Sequence, residues 1–247
     1  MLFISSVAHS AAGVVGGIKL NAPWVVRMEI FGKVHCTGSI IAPQWIITAA
    51  HCFYGLNINP SLVRLGGGGD GNLSGLHTLP AIDTIILHPQ YRGPRTVARD
   101  VALVKLVSPI QYQASLGEIG IKNISQMQAY NLQAHIVGWG KKNAQGEEAS
   151  ELRGFTTWFY RTEFMSPTNP ARQILFKDFR APNILAFDGS TNTTCGGDSG
   201  TGWTADFPNE GRKLIAIHSQ GDCRSFGASA ELSGLIPWIR ETLADHL

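Results

Sequence analysis

Four short segments carry side chains that could do chemistry together. Ile46-Ile47-Thr48-Ala49-Ala50-His51-Cys52 puts a histidine at the end of an apolar run, where the chain turns toward solvent. Arg99-Asp100-Val101-Ala102-Leu103-Val104-Lys105-Leu106 opens an apolar run with an aspartate, at a core boundary where a carboxylate must find a donor. In Cys195-Gly196-Gly197-Asp198-Ser199-Gly200 the glycines let backbone N–H groups approach a bound carbonyl that side chains would screen. His218-Ser219-Gln220-Gly221-Asp222-Cys223 follows another apolar run and offers a backbone edge to an extended chain. A hydroxyl, an imidazole and a carboxylate are the parts of an acyl-transfer relay. Each part alone also has a plainer reading, as a structural histidine at a strand end or a strand-start aspartate. A metal role is weakly supported: His35 and His51 flank Cys36 and Cys52, but no i, i+4 histidine pair is present.

The elements that must position these groups read as short strands. β-branched and aromatic runs recur at Trp24–Phe31, Gly38–Ile41, Trp45–Ala49, Leu62–Leu65, Ile82–Leu87, Ala102–Leu106, Ala134–Gly138, Gly154–Tyr160, Ile184–Phe187, Gly202–Ala205 and Lys213–His218. Turn signals divide them at Ala42-Pro43, Gly66–Gly69, His88-Pro89 and Asn143–Gly146. The tract Gly66–Gly75 has no Lys-Ser/Thr ending and no helical pattern after it, so it reads as a flexible surface loop and not a phosphate cradle. Ile236, Ile239, Leu243 and Leu247 are spaced as one face of a C-terminal helix.

The bulk numbers agree with an all-β protein. The 247 residues suit a single β unit, and 44% hydrophobic against 15% charged residues allow a sizeable core. A net charge of +2 without a Lys/Arg cluster gives no reason to expect nucleic acid. No stretch approaches the ~18 apolar residues of a membrane span, and no cofactor motif is present. Cys36, Cys52, Cys195 and Cys223 fall as two pairs without CxxC spacing. That pattern fits two disulfides in an oxidising compartment better than zinc, with four free thiols as the alternative. Residues 1–13 have a short apolar core and a small-residue end at Ala11-Ala12-Gly13, but no basic start; they read as signal or propeptide sequence.

In order and spacing, the four segments resemble the chymotrypsin-like (trypsin-fold) serine proteases. The resemblance runs from Val14 to the C-terminus and includes Val14-Val15-Gly16-Gly17, His35-Cys36-Thr37-Gly38-Ser39, Gly138-Trp139-Gly140 and Ile236-Pro237-Trp238-Ile239. It implies two six-stranded antiparallel β-barrels, about 14–115 and 116–235, followed by the terminal helix 236–247. It also implies a secreted serine endopeptidase, with His51, Asp100 and Ser199 as triad and the N–H groups of Gly197 and Ser199 as oxyanion hole; a monomer is the default, since the sequence does not encode the oligomeric state. Cys36 would pair with Cys52 and Cys195 with Cys223. Protein or peptide substrates are the expected partners, and protein inhibitors a further class; neither metal nor cofactor is expected. Family zymogens are activated when a new N-terminus, Val14 in this chain, pairs with the aspartate before the nucleophile, Asp198. Gly13 before that cut is unusual, since activators of this kind prefer a basic residue. An α/β-hydrolase is disfavoured, because the His…Asp…Ser order differs and Gly197-Asp198-Ser199-Gly200-Thr201 lacks the last glycine of Gly-x-Ser-x-Gly. The other reading kept open is a protease fold used only for binding.

The specificity pocket departs from the tryptic pattern. Thr193 stands six residues before Ser199, where tryptic enzymes carry an aspartate. His218, just before Ser219, with Thr193 and Thr194 as hydroxyl donors, resembles the glutamyl endopeptidases; a neutral pocket for apolar side chains is the alternative. Ser219 and Gly221 would form the substrate-binding edge, and Gly227 would leave the pocket's far wall open. Asp222 near the rim would repel an acidic side chain. Thr201-Gly202-Trp203 replaces the usual Gly-Pro behind the nucleophile, which predicts altered packing more than lost catalysis.

Overall fold

The computed structural model describes residues 14–56, 59–93, 96–124, 132–143, 145–163, 182–188 and 190–246. The expected leader at 1–13 and the position of Leu247 lie outside them. Among the described residues fifteen strands run in chain order: β1 Ile18–Lys19, β2 Val25–Ile30, β3 Lys33–Ala42, β4 Trp45–Thr48, β5 Val63–Gly67, β6 His77–Thr78, β7 Ile82–Leu87, β8 Ala102–Leu106, β9 Gln133–Gly138, β10 Arg153–Trp158, β11 Tyr160–Arg161, β12 Ile184–Phe187, β13 Gly202–Phe207, β14 Gly211–Gly221 and β15 Gly227–Glu231. Helix α1, Ile236–Asp245, closes the described chain.

These strands form two antiparallel sheets, ordered β6-β5-β2-β3-β4-β8-β7 and β1-β10-β9-β13-β14-β15-β12-β11. Setting aside the two-residue strands β1, β6 and β11, each sheet has six strands. This is the all-β architecture of two curled sheets and one terminal helix that the resemblance implies. Strand β1 pairs with β10 of the second sheet, so the chain starts on that sheet before building the first.

The continuous apolar runs follow from burial on both faces. All four residues of β4 (Trp-Ile-Ile-Thr) are buried, as are four of the five in β8. One apolar cluster runs from Val26 through the first sheet to Leu214, Ile217, Leu232 and Ile239, so the second sheet and the helix help to close the first core. A second gathers Ile136, Phe155, Leu185, Phe187, Trp203 and Ile215. Ile239 of α1 is buried and Leu243 packs partly on the first cluster, as the helical spacing predicts. Among the described residues no helix is long and apolar enough to cross a membrane.

The glycine tract differs from the flexible loop expected of it. Gly66 and Gly67 end β5, and Gly67 to Gly69 are buried. Gly69 N–H donates to Ser115 O at 2.9 Å, and a Cβ on Gly68, at φ +60°, would fall 2.1 Å from that carbonyl. Glycine is required there because two backbones meet, not because the chain is loose.

Burial also isolates one ion pair. Arg161 on β11 grips Glu231 on β15 through Nε at 2.8 Å and Nη2 at 2.5 Å, with side chains 14% and 1% exposed. Glu231→Ala should lower unfolding stability by about 3 kcal/mol, because it leaves a mostly buried guanidinium with the Ile124 carbonyl but no counter-charge. The joint change Arg161→Met with Glu231→Leu should recover most of that loss. Urea unfolding of the variants checks both, and equal loss in the single and joint variants would contradict it.

Candidate active site

His51 lies in a tight turn, Ala50–Cys52, just past β4. The Cys36–Cys52 disulfide ties that turn to β3. Its backbone N–H donates to Asp100 Oδ1 at 2.8 Å, and its Nδ1 lies 2.6 Å from Asp100 Oδ2. Asp100 ends the turn Val97–Arg99 and is 1% exposed. Ser219 Oγ on β14 donates to Asp100 Oδ2 at 2.5 Å, so the carboxylate is bonded from both sheets. With Oδ2 as acceptor, the Nδ1 proton is held on that side of the ring, which leaves Nε2 to accept.

The turn bearing Ser199 is stitched into the same seam. Thr37 N–H on β3 donates to Ser199 O at 2.8 Å, and Thr37 Oγ1 to Gly197 O at 2.8 Å. On the other side Gly200 N–H donates to His218 O, and His218 N–H to Thr201 O, both at 2.8 Å. A Cβ on Gly200, at φ +83°, would fall 2.0 Å from Thr48 Oγ1, so the turn lies hard against the strand that delivers His51. Gly197 has φ +94°, which a glycine adopts without strain. Among the described residues the N–H groups of Gly197 and Ser199 donate to nothing.

Asp198, next to Ser199 in the chain, is fully buried. It accepts from Gly140 N–H at 2.8 Å and Cys195 N–H at 2.9 Å, and no cation faces it among the described residues. Burial raises its pKa to about 7 against the pull of those two N–H groups. Cβ atoms on Gly138 and Gly140 would fall 2.2 Å and 2.4 Å from this carboxyl group, which explains why Gly138-Trp139-Gly140 needs both glycines. In the sequence that motif is only a family marker; the structure adds that it cradles a carboxyl group. Val14 is buried in the second core, and Thr193 N–H donates to Val15 O at 3.1 Å, so the segment from Val14 docks on a pocket wall.

The pocket residues come together around His218. Its Nε2 lies 3.4 Å from where a Cβ on Gly221 would be, and its Cε1 3.2 Å from the equivalent point on Gly227. The Gly227 Cβ would also meet Phe187 at 2.5 Å, so that glycine makes room for a core ring as well as an open wall. Thr194 Oγ1, 2.4 Å from the Gly221 Cβ position, is buried and has no partner among the described residues. Thr193 differs from its expected role: its hydroxyl donates to Phe226 O at 3.2 Å. Asp222 differs too. Its Oδ1 accepts from the N–H groups of Arg224 at 2.9 Å, Ser225 at 2.9 Å and Phe226 at 3.0 Å, so its charge is turned into its own loop. The Cys195–Cys223 disulfide joins the nucleophile turn to that loop. Burial, with a smaller contribution from nearby His51, lowers the pKa of His218 to about 3 and keeps the ring neutral. Thr201, which departs from the family pattern, donates its hydroxyl to Val137 O at 3.1 Å, and Trp203 fills the core behind the nucleophile.

The sulfurs of Cys36 and Cys52 near His51 are spent on their disulfide, so that group offers a metal only the imidazole.

The raised pKa of Asp198 fixes a pH dependence for the intact chain. The folded carboxyl group holds its proton more tightly than the unfolded one, so folding is strongest below the ordinary aspartate range. Stability should fall as pH rises from about 4 to about 7, and Asp198→Asn should flatten that slope. Urea midpoints across this range, on protein that keeps residues 1–13, measure it; a slope unchanged by the substitution would contradict the assignment.

Residues 15–239 match the family model described as Trypsin. Serine protease 56 of Homo sapiens is 29% identical over 226 residues, 88% of this chain and 36% of that protein. Trypsin of Simulium vittatum is 30% identical over 187 residues, 76% of this chain and 70% of that protein. Ovochymase of Halocynthia roretzi is 28% identical over 153 residues, 59% of this chain and 10% of that protein. The chain thus spans little more than a third of the first relative and a tenth of the third. The matched range contains both sheets from β1 to β15 and every residue of the seam around Asp100: this chain belongs to the trypsin family.

Proposed function

We propose that the protein is a secreted serine endopeptidase that cleaves peptide bonds in proteins or peptides through an acyl-enzyme intermediate. The observation that carries this reading is the array His51–Asp100–Ser219, set against a nucleophile turn whose Gly197 and Ser199 N–H groups are unspent. A serine hydroxyl is too weak an acid to attack an amide unaided. His51 Nε2 takes the Ser199 proton as Oγ bonds to the scissile carbonyl carbon, and Asp100 stabilises the imidazolium. The carbonyl oxygen, now negative, is held by the two N–H groups; losing one such donor typically costs ~10²–10³ in rate. His51 then protonates the leaving amine as the C–N bond breaks. A water, deprotonated by His51, attacks the ester and releases the new carboxylic acid while Ser199 recovers its proton.

The reading includes activation. Residues 1–13 are a leader, and the mature domain comprises barrels of about 14–115 and 116–235 and the helix. A cut after Gly13 frees Val14, whose ammonium supplies the counter-charge that buried Asp198 otherwise lacks. Two disulfides suit an oxidising, extracellular setting.

For specificity we favour an acidic side chain. A neutral imidazole and the unpartnered Thr194 hydroxyl form a pair of donors for a substrate carboxylate, and the Asp222 carboxylate is bonded into its own loop. Glycines at 221 and 227 and the ring of Phe187 give the apolar alternative its support.

One experiment separates these readings. After processing to Val14, a fluorophosphonate probe should label Ser199 and a peptide library should be cut after Glu. His218→Ala should lower kcat/KM for Glu at least about tenfold while leaving probe labelling intact. No labelling of the processed protein would leave only a binding role. Cleavage after apolar residues, or a Glu preference that survives His218→Ala, would overturn the acidic pocket.

A further inference from the structure

Behind the pocket histidine lie three polar atoms with no hydrogen-bond partner among the described residues: His218 Nδ1, Trp203 Nε1 and Ser229 Oγ. All belong to residues at most 2% exposed. His218 on β14 and Ser229 on β15 are directly opposed across the ladder. Trp203 on β13 stacks on the His218 ring at 6.1 Å, with the planes 17° apart. Buried polar atoms without partners are costly, and three of them on neighbouring side chains point to something that joins them.

Their chemistry specifies the joining group. An indole N–H only donates, an unprotonated imidazole nitrogen only accepts, and a hydroxyl does either. Water, with two donors and two lone pairs, complements such a set, and a buried water commonly makes two to four such bonds.

We propose that one buried water bridges Trp203 Nε1, His218 Nδ1 and Ser229 Oγ, and that Ser229 is a positioning residue that fixes the tautomer of the pocket histidine. The water accepts from Trp203 and donates to His218 Nδ1 and to Ser229 Oγ, the arrangement in which both of its protons meet an acceptor; a protonated Nδ1 would leave one of them unbonded. With Nδ1 an acceptor, the single proton of the neutral ring lies on Nε2. That nitrogen faces the Gly221 side of the pocket, 3.4 Å from the position of a Cβ there. The proton on Nε2 donates to a substrate carboxylate, whereas the other tautomer would present a lone pair and repel it. The effect on substrates rests on the acidic-pocket reading above; the tautomer does not.

The test is the substitution Ser229→Ala, which removes only a buried oxygen. In processed protein with ¹⁵N-labelled histidine, NMR should find the His218 proton on Nε2 in the unaltered protein and redistributed to Nδ1 in the variant. KM for a peptide ending in Glu at the scissile bond should rise about tenfold, with kcat changing less and KM for the matching Leu peptide unchanged. A structural role for Ser229 would weaken both peptides alike, and that result would overturn the proposal. So would a proton on Nδ1 in the unaltered protein, or one that stays wholly on Nε2 in the variant. If the unaltered protein does not prefer Glu, the acidic-pocket reading fails, and the NMR comparison alone decides the tautomer.

Discussion

A carboxylate taken out of water must have its lone pairs met, and the way Asp100 meets this demand organises the rest of the molecule. Its three donors come from separate places: the backbone and ring of His51 after β4, and the hydroxyl of Ser219 on β14. Satisfying it therefore requires that the two sheets pack with one seam and one register. The disulfide Cys36–Cys52 and the bonds from Thr37 to Ser199 and Gly197 serve the same end, holding the histidine turn and the nucleophile turn against each other. Preorganisation of this kind is what a relay of weak acids and bases needs, since a misplacement of about an ångström can cost on the order of 10²-fold in rate.

Asp198 is a second buried carboxylate under a different rule. It has two backbone donors and, among the described residues, no cation, and burial wins over them. The fold thus keeps one anion satisfied within its seam and leaves another short of a counter-charge in a cradle of glycines. The first arrangement suits a permanent part of the relay. The second suits a part that waits for a change elsewhere in the chain.

The His51–Asp100 contact and, through the family resemblance, both disulfide pairs were legible in the sequence because each sits in a short segment whose neighbours are constrained. A strand must deliver His51, a strand must start at Asp100, and glycines must flank Ser199. The longer strands were legible from β-branched runs. Strand β15, Gly-Ala-Ser-Ala-Glu, was not, because small residues have little intrinsic preference for extended structure and are held there by burial on both faces. The glycine tract misled for a related reason: composition does not reveal whether glycine is chosen for mobility or for close approach, and contact with Ser115 decides for the latter. The pocket was half legible. His218 and Thr194 were identifiable by type, whereas the commitments of Thr193 to Phe226 and of Asp222 to its own loop depend on backbone paths that sequence spacing does not encode. Ser229 carried no local signal, and Trp203 was marked only as a departure from the family pattern, since their interest here lies in what surrounds His218.

In the proposed reaction the Asp100 carboxylate holds His51 in the tautomer and orientation that let it accept a proton from Ser199. The most direct measurement is kcat/KM at neutral pH for Asp100→Asn in the processed protein, alongside its unfolding midpoint. Asparagine keeps the shape but offers Nδ1 no charge and favours the wrong tautomer, so kcat/KM should fall by about 10⁴ while the protein stays folded. A folded variant within a few-fold of the unaltered protein would contradict the account.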